Sequence, residues 1–165
     1  MLPLLLLGLL STNAFVVADK GPLNILLIVA DDLGYADLGV YGSPTINTPN
    51  LDRLANEGAK FTQFIVGGPI CTPSRSSMLT GRLPIRNGIY CNQDYPIDDL
   101  FRVFYPSSVY CLPDSEITIG DALAVTHSTA MLGKWHLGHN EKYNCLPGNG
   151  NQGFDFFYGL PYSHE

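Results

Sequence analysis

Apolar positions along this chain fall in short blocks separated by Gly- and Pro-rich breaks. Residues 24–30, NILLIVA, form a run too short for a typical helix. It reads as a strand buried on both faces, as in a parallel sheet. Thr48-Pro49 then marks a helix start, with Thr48 as N-cap and Pro49 at the first helical position. Leu51, Leu54 and Ala55 supply its apolar stripe and Gly58 ends it. Residues 60–66 read as a second strand, bounded by Gly67-Gly68-Pro69. A helix from Ser74 or Arg75 to Thr80 stops at Gly81, and another spans residues 115–124 with Ser115 as its cap. Residues 129–132 make a short strand before Gly133-Lys134-Trp135-His136. Residues 90–114 and 140–153 have no usable period and read as loops. A loop as long as the first is either functional or poorly ordered.

The order strand, helix, strand, helix, helix, strand predicts an α/β fold with a mainly parallel sheet flanked by helices. About three strands are readable, against the roughly five or six of an ordinary sheet. A strand apolar on both faces needs neighbours and helices on both sides. The pattern therefore predicts the first part of a larger domain, incomplete at its C-terminus.

Composition narrows the classes. With 17 Gly and 12 Pro in 165 residues, much of the chain must be turn and loop. The formal charge of −6, without a Lys/Arg cluster, argues against a nucleic-acid partner. Residues 2–10 are apolar but too few to span a bilayer. Val16-Val17-Ala18 then fits a signal-peptidase site, so residues 1–18 read as a signal peptide and 19–165 as the mature part. The alternative is a buried N-terminal helix. No other segment is apolar enough for a membrane span, and the expected location is the secretory pathway, lysosomal or extracellular. Export permits disulfides among Cys71, Cys91, Cys111 and Cys145, with three connectivities open if all pair. No Cys-x-x-Cys pair suggests a zinc finger, and no Asn-x-Ser/Thr sequon is present.

Four groups could carry chemistry. Asp31 and Asp32 stand at the carboxyl end of the first predicted strand, where open α/β sheets bind ligands. Adjacent carboxylates repel unless a cation lies beside them, and hard oxygen ligands suit Ca²⁺ or Mg²⁺. Alone, the pair reads more readily as a solvated turn capped by Asp. Lys134 and His136 flank Trp135; in an extended segment they share a face while Trp135 points into the core. They read equally as a grip for an anion and as a surface pair around a buried Trp. His127, His139 and His164 have no partner by spacing, and the first two read as solvated. Cys71 precedes the second predicted helix, whose free N–H groups and dipole favour anions, and Arg75 lies one turn on. Cys71 could be a structural disulfide, a metal ligand, a nucleophile or the precursor of something else. The Cys-x₃-Arg spacing does not match the Cys-x₅-Arg loop of thiol phosphatases.

Cys71-Thr72-Pro73-Ser74-Arg75 with Leu79-Thr80-Gly81-Arg82, and GKWHLG at residues 133–138, resemble the two signature blocks of type I sulfatases. NILLIVADDLGYADLGVYG and TPNLDRLANEGAKFTQFI resemble the family's metal-binding strand end and the helix and strand after it. GRLPIRNGIY and QGFDFFYGLPYSH look closest to the animal arylsulfatase A and N-acetylgalactosamine-6-sulfatase group. The resemblance covers residues 22–163. It implies the N-terminal part of an alkaline-phosphatase-like sulfatase domain that hydrolyses sulfate esters. It implies that a formylglycine-generating enzyme oxidises Cys71 to formylglycine, whose hydrate attacks sulfur and then expels sulfate. Asp31, Asp32 and the residue derived from Cys71 would ligate Ca²⁺, with Mg²⁺ as the alternative. Arg75 would hold the hydrate, Lys134 and His136 would bind sulfate and the hydrate, and Ser163 would line the site. The substrate would be a sulfated small molecule, glycan or glycolipid.

This sequence departs from the family pattern in two ways. DALAVTHSTAMLGKWHLG lacks the usual Gly-Tyr step before the second block. The remaining metal ligands, the leaving-group acid and a further lysine of the family have no counterpart here. Two other readings are a phosphodiester or phosphonate hydrolase of the same superfamily, and a short product that cannot catalyse.

Overall fold

A computed structural model describes residues 21–89 and 103–163. Its regular elements are helices α1 (Pro49–Glu57), α2 (Cys71–Thr80), α3 (Pro84–Asn87) and α4 (Ile119–Ala124), and strands β1 (Ala130–Lys134) and β2 (Phe156–Leu160). Single 3₁₀ turns occupy Tyr35–Asp37, Gly39–Tyr41 and Glu141–Tyr143. The two strands pair in parallel, with Ala130 opposite Phe156 and Lys134 opposite Leu160. A parallel pair requires a long crossover, and the irregular stretch between β1 and β2 supplies it. The fold is α/β: a small parallel sheet with helices beside it.

The helix starts follow local chemistry. Thr48 and Pro49 open α1 as expected, with the Thr48 hydroxyl donating to Asp52 Oδ1 at 2.9 Å. The helix before β1 begins later than expected. Its cap is Thr118, not Ser115, because Thr118 and Asp121 form a reciprocal capping box. The α2 helix begins at Cys71, three residues earlier than its polarity suggests, and ends at Gly81 in the left-handed region.

Two expected strands do not form. Residues 24–30 and 60–66 have no ladder partner among the described residues, and their apolar side chains face outward. Leu26 is 85% exposed and Ile65 86% exposed. A strand is stabilised by neighbouring strands and covering layers, and neither segment has them. Conversely, β2 arises in a segment the apolar pattern alone did not mark. The loop expectation for residues 90–114 holds from 103 onward; its first part lies outside the described residues, as do the signal-peptide segment and Cys91.

The core comprises Leu79, Ile89, Phe104, Leu112, Trp135, Leu137 and Phe154. Cys111 and Cys145 are disulfide-bonded across 34 residues, with Cα atoms 5.7 Å apart. This settles one pair of the open connectivities, and Cys71 is free. The bridge ties the segment leading to Leu112 to Cys145, whose carbonyl accepts from the Trp135 indole, and Leu112 N donates to Leu137 O at 2.9 Å. Gly138, at φ +100°, lies against Cys111 where any Cβ would collide. Replacing Cys111 and Cys145 together by Ala is expected to lower unfolding free energy by about 2–4 kcal/mol. Urea unfolding followed by the emission of Trp135 measures this; an unchanged midpoint would show that the bridge contributes nothing.

Candidate active site

The N-terminus of α2 forms the centre of the site. Ile70 is its extended N-cap, and Ser74 N donates to Ile70 O at 3.0 Å. The chain reaches this point through Gly67 and Gly68. A side chain at Gly67 would collide with that of Ser77, and a Cβ at Gly68 would press on Pro73 at 3.0 Å. These glycines let the incoming strand-like segment lie against the helix. Pro73 sits in the first turn, where its missing N–H leaves no helical bond unmade.

Four of the expected residues meet here. Lys134 Nζ lies 3.1 Å from Cys71 Sγ and 3.1 Å from Asp31 Oδ2. Arg75 Nη2 lies 2.9 Å from the same Asp31 oxygen, and Arg75 Nη1 donates to Lys134 O at 2.6 Å. The planar guanidinium thus bridges two partners at fixed spacing. The hydrogen bond from Lys134, opposed by partial burial and reinforced by Arg75, holds the Asp31 carboxyl below its ordinary value. Burial works against the charge on Lys134, but the contacts to Cys71 and Asp31 outweigh it and raise the Lys134 ammonium above its ordinary value. The ammonium therefore remains a cation at neutral pH.

The other expected residues are placed differently. His136 does not share a face with Lys134. The strand ends at Lys134, and His136 adopts φ +58°, so the alternation of an extended segment no longer applies. Its imidazole is 1% exposed, with Nε2 2.8 Å from Phe104 O. Trp135 is in the core as expected, its Nε1 donating to Gly138 O and Cys145 O. Asp32 is exposed beside Asp31. Ser163 is half-buried beyond β2 and makes no hydrogen bond to Cys71, Arg75 or Lys134. His127, expected to be solvated, places Nε2 3.0 Å from Leu23 O, and the His139 ring lies 5.3 Å from that of Tyr162.

Among the described residues, no group of three or more His, Cys, Asp or Glu is arranged to hold a metal. The donor chemistry of Asp31 and Asp32, hard carboxylate oxygen, fits Ca²⁺, but two residues fall well short of its usual six to eight oxygen ligands. Main-chain partners of the site escaped the sequence reading. Leu160 O and Pro161 O accept from Trp135 N and His136 N, and the Phe104 main chain meets Thr72 and His136. No spacing rule reaches across such separations.

The sulfatase family model matches residues 23–165, and the chain belongs to the sulfatase family. In particular, it is 48% identical to human arylsulfatase A over 159 residues, which covers 96% of this chain and 29% of that protein. It is 43% identical to human N-acetylgalactosamine-6-sulfatase over 145 residues, covering 87% of this chain and 26% of that protein. A crystal structure of PsFucS1 sulfatase from Pseudoalteromonas sp. aligns with a TM-score of 0.62 at 36% identity, over 82% of this chain and 25% of that one. The chain thus spans under a third of the length of these curated relatives.

Changing Arg75 to Lys leaves a single ammonium where two partners are now bonded. The expected cost is roughly 1–2 kcal/mol of stability. The urea midpoint of Arg75→Lys reports it, and a midpoint equal to the parent's would mean that the two contacts add nothing.

Proposed function

We propose that this chain is the N-terminal part of a sulfatase that hydrolyses sulfate esters, with Cys71 as the precursor of formylglycine. One observation carries the reading. Lys134, from the second signature block, places its ammonium 3.1 Å from the sulfur of Cys71, in the first. Cys71 Sγ occupies the position that the formylglycine side chain would take. When formed, formylglycine hydrate supplies a hydroxyl nucleophile for the sulfate sulfur.

The residues around it have definable tasks. Sulfate ester cleavage spreads negative charge over oxygens, and fixed cations stabilise that charge best where it develops. Lys134 stays protonated and binds a sulfate oxygen. Arg75, restrained by Asp31 and Lys134 O, orients the nucleophile, and the N–H groups opening α2 add a favourable dipole. His136, whose main-chain N–H donates to Pro161 O, would act with Lys134 on the sulfate and the hydrate only if its buried ring turned toward them, and Ser163 would line the site. Asp31 and Asp32 would give oxygens to a Ca²⁺ ion, with Mg²⁺ as the alternative, and residues beyond this chain would complete the shell. A bound cation would supply charge neutralisation for the sulfate oxygens.

The substrate class is a sulfated small molecule, glycan or glycolipid. The partner in biosynthesis is a formylglycine-generating enzyme. The apolar N-terminal run and the Cys111–Cys145 disulfide support passage through the secretory pathway, to a lysosome or outside the cell. Among the described residues, no helix is long and apolar enough to cross a membrane.

Mass spectrometry of the tryptic peptide FTQFIVGGPICTPSR from the natural source tests the reading. Loss of the Cys71 sulfur with gain of an aldehyde is expected; an unmodified thiol would overturn the assignment. In the whole protein carrying this chain, Lys134→Ala is expected to lower kcat/KM for an aryl sulfate by about 10²–10³-fold. Activity within about tenfold of the parent would remove Lys134 from the catalytic machinery. Preferential hydrolysis of a phosphodiester or phosphonate monoester by the parent would move the protein to the other chemistry of its superfamily.

A further inference from the structure

Thr72, next to Cys71 in the first turn of α2, is fully buried. Its hydroxyl donates to His136 O at 2.9 Å and accepts from Phe104 N at 3.2 Å. His136 Nε2 closes the triangle by donating to Phe104 O at 2.8 Å, since a carbonyl can only accept. Three segments distant in sequence are therefore joined at one hydroxyl. Both functions of that hydroxyl are used, and both partners are buried main-chain groups.

The location of this junction is informative. Thr72 is one residue from Cys71, and His136 is two residues from Lys134. The Thr72–His136 bond is thus a short buried link between the residue that carries the nucleophile position and the residue that carries the ammonium. The other link, Arg75 Nη1 to Lys134 O, depends on a longer side chain that is partly open to solvent.

We propose that Thr72 is a positioning residue. Its hydroxyl sets the separation between the side chain at position 71 and the Lys134 ammonium, without touching substrate. This rests on the sulfatase reading of the site and deepens it. An isosteric Val fills the same space and removes the hydrogen bonds to His136 O and Phe104 N. A Ser keeps both hydrogen bonds.

The test uses the full 165-residue chain with Cys71 as an unmodified thiol. The probe is succinimidyl iodoacetate, a short reagent that joins a thiol to a nearby amine. Mass spectrometry measures the rate of Cys71–Lys134 cross-linking in the parent, Thr72→Ser, Thr72→Val and Thr72→Ala. Trp135 emission and the intact Cys111–Cys145 bridge report folding. The parent and Thr72→Ser are expected to cross-link at similar rates, and the Val and Ala variants roughly tenfold or more slowly while folded. A general loss of stability does not produce that pattern, because Ser restores it. Val and Ala rates within about twofold of the parent, or a Ser rate as low as theirs, would overturn the proposal. Where Val loses native emission, the Ala and Ser variants decide by the same criterion. An unmodified Cys71 in the natural protein would remove the sulfatase reading and leave the cross-linking result standing. Unchanged cross-linking would remove the role of Thr72 and leave the sulfatase reading.

Discussion

The ammonium of Lys134 is held between a sulfur and a carboxylate oxygen, each 3.1 Å away, while its own carbonyl accepts from Arg75. One residue thereby fixes the α2 N-terminus, the Asp31 corner and the end of β1 relative to one another. Its main chain owes its position to the parallel pairing with Leu160. Where the strand stops, Trp135 N and His136 N continue the hydrogen bonding to Leu160 O and Pro161 O. The cation can therefore be partly buried, because opposite charge and hydrogen-bond acceptors already surround it.

Behind this residue the chain turns sharply into the core. His136 takes a left-handed conformation, unusual for a residue with a side chain, and two buried hydrogen bonds of its main chain hold it there. Trp135 fills the core and donates to Gly138 O and Cys145 O. The disulfide thus supports the turn through the Trp135 indole, without contacting the site. This is a long support for a short loop. It suits a chain whose Gly and Pro content leaves little regular structure to do the work.

What the sequence revealed follows from the range of the interactions. The start of α1 at Thr48-Pro49 and the termination of α2 at Gly81 are local events, readable within four residues. Cys71, Arg75 and Lys134 are legible from the two signature blocks and Asp31 from the resemblance of the segment around it, although no spacing rule connects position 31 with position 134. The face of His136 departs from strand alternation, because β1 ends at Lys134 and His136 takes a positive φ. Thr72 carries no local signal: a Thr in a helix ordinarily means little, and its partners are main-chain groups 32 and 64 positions away. The β2 strand was missed because its aromatics do not alternate with polar residues.

The site lies on a seam between two unequal parts of the molecule. Cys71, Thr72 and Lys134 belong to the side that contains the core, the disulfide and the sheet. Asp31 and Asp32 belong to a segment whose preceding residues, from Leu23 to Val29, are largely exposed apolar side chains. That segment is attached through the ion pairs of Asp31 with Arg75 and Lys134 and through the contact of His127 with Leu23 O. Partly exposed ion pairs contribute little stability compared with apolar burial. In this chain the half of the site with Cys71, Thr72 and Lys134 rests on the core, while the half with Asp31 and Asp32 has fewer buried contacts. A cation bound at Asp31 and Asp32 would act on that weaker half and compete with Lys134 and Arg75 for the same carboxylate.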